Sequence, residues 1–225
     1  MRPPFLRHNL VWLDPELELS PYALMPEQAA FARDWIAQGQ PLVVARQPGP
    51  PTEAAPHIAL GLTLPPPATR QRLSLSVPRE AIRRHSGPLE LSHALAHVPR
   101  WQEVIQRLLN DCQAAAVSPC VYGSLLWQTV SRNIYLTDAS DLDVLFVCTE
   151  ASDMNQLMDS LADYAGASPR VDGEILAPSG WAAAWREVAA AIQSGGSAKV
   201  LAKSSYAARL ISLDEFSGQK ALVWN

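Results

Sequence analysis

The stretch from Val121 to Val147 constrains this chain more than any other. It opens with a short β-prone run, Cys120-Val121-Tyr122, and a small-residue turn, Gly123-Ser124, and closes with Ser140-Asp141-Leu142-Asp143 running into an apolar segment, Val144 to Val147. Side chains alternate along a strand, so Asp141 and Asp143 share one face and Leu142 and Val144 the other. Two carboxylates ~4 Å apart at an effective dielectric of about 20 repel by roughly 4 kcal/mol before screening. A fold keeps such a pair most easily around a divalent cation, and Mg²⁺, a hard ion that takes oxygen ligands and leaves room for phosphates, suits it best. The Gly-Ser turn supplies the complement. Glycine allows close backbone approach, and amides at the start of a helix from Ser124 to Gln128 form a partial positive site for phosphate.

A Gly-Ser turn, a helix, a return loop and Asp-x-Asp on a strand is the pattern of the nucleotidyltransferase superfamily, and the seventeen positions from Ser124 to Asp141 leave room for it. Such a site needs a third carboxylate. Asp172 and Glu174 lie at alternate positions of the next expected strand, so either can reach the metal, with Asp172 preferred. Two Mg²⁺ ions held by Asp141, Asp143 and Asp172 or Glu174 would activate a hydroxyl and neutralise a leaving pyrophosphate. Gly123 and Ser124 would hold the β- and γ-phosphates, with Arg46, Arg70, Arg72, Lys199 and Lys203 as further phosphate contacts.

Charge divides the chain. Residues 1–100 carry ten arginines, no lysine and eight acids, net +2, whereas residues 101–225 carry eight basic and fourteen acidic residues, net −6. A nucleic-acid binder would be more basic and carry a basic stripe. No apolar run reaches the length of a membrane span, and the start, Met1-Arg2-Pro3-Pro4-Phe5, lacks the core of a signal peptide. Cys112, Cys120 and Cys148 show no metal-ligand spacing and read as reduced, buried thiols of a cytoplasmic protein, none a nucleophile. His93 and His97, four apart, lack a neighbouring Glu and a third ligand, and read as exposed or capping groups.

Periodicity predicts a strand in residues 7–13, a helix from Pro26 to Gln38, and strands at Pro41–Arg46, His57–Leu64 and Arg70–Val77, the last placing Leu73, Leu75 and Val77 inward. Short helical pieces are expected over Pro78–His85 and Leu89–Val98, then a firm helix from Arg100 to Ala115 with one apolar stripe. Helices follow at Asp153–Ala165 and Trp181–Ile192, with strands at Pro169–Leu176 and Ala198–Ala202. The expected fold is α/β (α+β): residues 1–90 form a smaller α+β domain that binds substrate or partner, and residues 91–225 a nucleotidyltransferase mixed sheet flanked by helices.

The run Y-G-S-L-L-W-Q, then Y-L and S-D-L-D, then V-D-G-E, resembles the malonate decarboxylase holo-acyl-carrier-protein synthases, which are phosphoribosyl-dephospho-CoA transferases. The likeness extends to R-H-N-L-V-W-L at 7–13, P-L-V-V-A-R at 41–46, L-G-L-T-L-P near 60–65, R-L-S-L-S-V at 72–77 and W-R-E at 185–187. It implies transfer of a phosphoribosyl-dephospho-CoA group from its triphosphoribosyl precursor to a serine of the malonate decarboxylase acyl-carrier subunit, with pyrophosphate leaving. Gly123, Ser124, Asp141 and Asp143 match the family's core by position. Ser131-Arg132 departs from the Thr-Gly pair expected there. The rivals are a metal-dependent nucleotidyltransferase acting on another protein, RNA or small-molecule hydroxyl, and a binding or toxin–antitoxin-type module without catalysis. For an acidic carrier, the basic N-terminal half is the expected docking side, with Arg83 and Arg84 on an exposed helix.

Overall fold

A computed structural model describes residues 5–19, 22, 24–49, 57–66, 71–195 and 198–218. The N-terminal half contains strands β1 (Leu10–Leu13), β2 (Leu42–Val44), β3 (His57–Thr63), β4 (Arg72–Pro78) and β5 (Ile82–Ser86), with helix α1 (Pro26–Ala37) between the first two. They form an antiparallel sheet in the order β4-β3-β2-β1-β5. Leu73, Leu75 and Val77 alternate inward along β4 as their spacing predicts. Pro26 opens α1, where a missing N–H costs nothing. Trp35 of α1 anchors it, its indole N–H donating to the Pro41 carbonyl at 2.9 Å.

The stretch Pro78–His85, expected to be helical, is instead one 3₁₀ turn (Arg79–Ala81) followed by β5, which pairs antiparallel with β1. Arg83 and Arg84 therefore project from an edge strand. Arg83 is paired with Asp14, and the Arg84 guanidinium lies 3.6 Å from the centre of the Trp12 ring. Charged side chains of this kind protect an exposed edge from pairing with other chains.

The C-terminal half has β6 (Leu89–Glu90), a 3₁₀ helix (Leu91–His97), α2 (Gln102–Ala114), β7 (Ser118–Val121), α3 (Gly123–Ser131), β8 (Leu142–Val147), α4 (Met154–Ala162), β9 (Val171–Leu176), β10 (Ala182–Ala184), α5 (Trp185–Gln193), β11 (Val200–Lys203), β12 (Ala208–Ile211) and α6 (Leu213–Ser217). Its sheet runs β12-β11-β10-β9-β8-β7-β6, with β8 and β9 parallel and the neighbouring pairs antiparallel. The parallel pair needs a crossover, which α4 supplies, capped by Asp153 accepting from the Gln156 amide at 3.0 Å. Ile105, Leu108 and Cys112 of α2 pack into the core beside Leu157 and Leu161 of α4. Each fully buried aliphatic side chain contributes roughly 1.5–3 kcal/mol.

The single helix expected over Trp181–Ile192 is divided. Ala182–Ala184 form β10 between β9 and β11, and the helix starts only at Trp185. The piece expected over Leu89–Val98 is likewise a two-residue strand and a 3₁₀ helix.

The halves share side chains. Trp127 of α3 and Tyr135 bury themselves in the N-terminal core, with the Trp127 and Trp35 rings edge-on at 5.7 Å. Tyr135 donates its hydroxyl to the Thr63 carbonyl at 2.8 Å. The Gln47 amide donates to the Ser205 carbonyl at 2.8 Å.

Candidate active site

Parallel pairing of β8 and β9 sets Asp143 directly opposite Asp172. Asp141, Asp143 and Asp172 thus meet on one sheet face, away from the core filled by Leu142, Val144 and Phe146. Asp143 is half-buried, and burial together with the charges of Asp172 and Asp141 pushes its carboxyl up to about 6, against the opposing pull of Arg72 and Arg170. Asp141 and Asp172 share a cation. Arg170 donates from Nε and Nη2 to Asp141 at 3.1 and 2.6 Å, and from Nη2 to Asp172 at 3.1 Å. Among the described residues no three acidic, His or Cys side chains form a ready metal cage. The donor set fits Mg²⁺ in chemistry, being all carboxylate oxygen with an acid kept basic by its neighbours. A divalent ion would nonetheless have to compete with Arg170 for two of the three.

Gly123 begins α3 at φ +65°, a left-handed conformation natural to glycine, with the Asp143 side chain against its Cα. The Tyr122 amide donates to the Asp143 carbonyl at 3.1 Å, fixing the helix start to the strand that bears the acids. Among the described residues no side chain caps α3, so its first amides face a ligand uncapped. Gly123, Ser124, Asp143, Arg46 and Arg72 line one cavity of about 480 Å³ between the two halves. The return loop after α3 is held by Gln128, whose side-chain oxygen accepts from the amides of Tyr135 and Leu136 at 3.2 and 3.1 Å, while its Nε2 donates to the His97 carbonyl at 2.9 Å. Arg132 ends α3 in the left-handed region, φ 62°, which is where the resemblance led us to expect glycine.

Glu174 and Lys203 are elsewhere. Glu174 lies along β9 from Asp172, buried, with Lys203 at 2.8 Å and Arg7 at 2.7 Å. Burial alone would raise its carboxyl, but contacts from His8, Arg7 and Lys203 hold it well below the usual carboxylate range. Its carboxylate is thus engaged by cations of the chain. Lys203 does not line the cavity of Asp143. Lys199 is exposed and borders neither that cavity nor Glu174. Arg70 lies outside the described residues. The buried thiols of Cys112, Cys120 and Cys148 are pushed up to about 12, 11 and 12 by burial, which makes them poor nucleophiles.

Arg170 and Arg7 are the residues that sequence reasoning missed. Arg170 sits two positions before Asp172, a spacing that puts it on the same strand face. Arg7 stands beside His8 at the start of the chain, and no local pattern ties it to residue 174.

Comparison with known proteins bears on this arrangement. The family profile described as phosphoribosyl-dephospho-CoA transferase MdcG N-terminal domain matches residues 6–88, and that of the MdcG C-terminal domain matches residues 89–214. The chain belongs to the MdcG family of phosphoribosyl-dephospho-CoA transferases. It is 33% identical over 207 residues to a phosphoribosyl-dephospho-CoA transferase of Xanthomonas campestris pv. campestris, covering 91% of this chain and 93% of the relative. A protein of the same description from Bradyrhizobium diazoefficiens is 34% identical over 209 residues, covering 90% and 88%. No solved structure matches the chain. MdcG membership makes the chain a transferase, and the MdcG profiles divide between residues 88 and 89, where β6 begins the second sheet. No helix among the described residues is long and apolar enough to cross a membrane.

Proposed function

We propose that the chain transfers phosphoribosyl-dephospho-CoA from 2'-(5''-triphosphoribosyl)-3'-dephospho-CoA to a serine hydroxyl of the malonate decarboxylase acyl-carrier subunit, releasing pyrophosphate. The observation that carries this reading is one cavity holding Asp143, the α3 turn at Gly123-Ser124, and Arg46 and Arg72. A phosphate chain laid against the start of α3 accepts from its free amides, and Arg46 and Arg72 offer paired N–H groups to the remaining oxygens. This fixes the phosphorus next to ribose beside the acids. The serine oxygen then attacks in line: the O–P bond forms, the bond to the pyrophosphate oxygen breaks, and the serine proton passes to solvent water. Asp141, Asp143 and Asp172 would hold Mg²⁺, which when bound supplies Lewis-acid neutralisation and a more acidic attacking hydroxyl. Gln128 keeps the return loop in place at Tyr135 and Leu136. Positioning and electrostatics carry the chemistry, with no covalent enzyme intermediate.

The test mixes the chain, the triphosphoribosyl precursor, Mg²⁺ and the purified carrier, and weighs the carrier by intact mass spectrometry. The expected result is one added phosphoribosyl-dephospho-CoA on a serine, lost when EDTA is present. An unmodified carrier under all these conditions would overturn the assignment.

A further inference from the structure

A second cavity, of about 420 Å³, lies on the same sheet face as the acids but farther along the strands. Leu145 and Val147 continue the Asp143 face of β8, and Leu176 continues the Asp172 face of β9. Arg7 and His8 border both cavities and form the wall between them. That wall is charged. Arg7 and Lys203 enclose the single carboxylate of Glu174, two cations against one acid. The His8 Nε2 on this wall is buried, 3.7 Å from Glu174 Oε2, and has no hydrogen-bond partner among the described residues. Beyond it the surface turns apolar at Leu145, Val147, Leu176 and Trp181, with hydroxyls at Ser204 and Tyr206.

We propose that this second cavity takes the pantetheine arm of the dephospho-CoA moiety, with the diphosphate that joins the arm to adenosine lying against Arg7 and Lys203. The inference rests on the substrate reading above and extends it. Dephospho-CoA branches at its ribose: the triphosphoribosyl group leaves from one side, and the diphosphate and pantetheine leave from another. The two branches need two anion sites, and the chain presents two: Arg46 and Arg72 with the α3 amides in the first cavity, Arg7 and Lys203 at the wall of the second. Each cavity is near the small end of ligand pockets, about 300–1,000 Å³, and the branched substrate needs both. The aliphatic arm, with its amides and hydroxyl, matches apolar walls interrupted by a few hydroxyls.

Calorimetry on the full chain with ADP and with dephospho-CoA separates the arm from the nucleotide. Dephospho-CoA should bind about tenfold or more tighter than ADP, since tenfold corresponds to burying only several tens of Å² of apolar surface. Val147→Trp, which fills the second cavity, should bring that ratio close to one while the ADP affinity stays within about twofold. Val147→Phe serves as a milder filling variant if Val147→Trp loses its native far-UV spectrum. A ratio near one in the wild type, or a ratio retained in a folded filling variant, would overturn the arm assignment and leave the substrate reading intact. A wild type that binds neither ligand would overturn both.

Discussion

A side chain at residue 123 would collide with Asp143: a Cβ built on Gly123 would stand 1.9 Å from Asp143 Oδ2. The glycine is thus required by a catalytic candidate of the chain itself, in addition to any phosphate that approaches it. Gly123→Ala should combine the left-handed penalty of about 1–2 kcal/mol with displacement of Asp143, and a misplacement of about 1 Å costs about 100-fold in turnover. Ser124→Ala removes at most one hydrogen bond, about 0.5–1.5 kcal/mol, and should retain activity within about tenfold. Carrier-modification rates of the two variants check the ordering, and equal losses would refute it.

Asp143 sits above its ordinary carboxylate range in the folded chain, at about 6. A raised folded value means ionisation disfavours the fold, so stability declines as pH rises from about 4 to 6 and is level above. Asp143→Asn should abolish transfer yet stabilise the metal-free protein at pH 7.5, by on the order of 2 kcal/mol. Asp141→Asn should give no such gain, because it takes a carboxylate from Arg170. Urea unfolding in EDTA measures both, and a destabilised Asp143→Asn would contradict the repulsion.

Glu174 shows the opposite dependence. Its folded value is depressed, so its contribution is full above the unfolded value of about 4.3 and is lost as pH falls below it. Glu174→Gln leaves Arg7 and Lys203 without their acid and should cost about 3–5 kcal/mol at pH 7. The gap between variant and wild type should narrow below about pH 4. A pH-independent gap would show that packing, not charge, holds the group.

Arg132 adopts a conformation natural to glycine at the end of α3. Arg132→Gly should therefore stabilise the chain by about 1 kcal/mol, raising Tm by about 2–4 °C. Scanning calorimetry decides it, and a lower Tm would mean that the arginine side chain offsets its backbone cost.

The acids and the Gly-Ser turn were legible because both are local patterns: alternation on β8 and β9, and a turn before α3. The partner of each acid was not. Arg170 reaches Asp141 only because two strands separated by α4 lie side by side, and Arg7 meets Glu174 across nearly the whole chain. Ile82–Ser86 lacks apolar alternation, so its strand state is set by pairing with β1 rather than by its own residues. Ala182–Ala184 favour helix by propensity, and two flanking strands override that preference.

The placement of Arg7 bears on how far this protein can be taken apart. Although two family profiles divide the chain at residues 88 and 89, the second part on its own would lack the arginine that meets its buried Glu174, and the first would lack Trp127 and Tyr135 from its core. Neither part is a transplantable module. Exchanging one half between relatives should succeed only when Arg7, Glu174, Trp127 and Tyr135 find their matches in the new partner, so the two halves are constrained to change together.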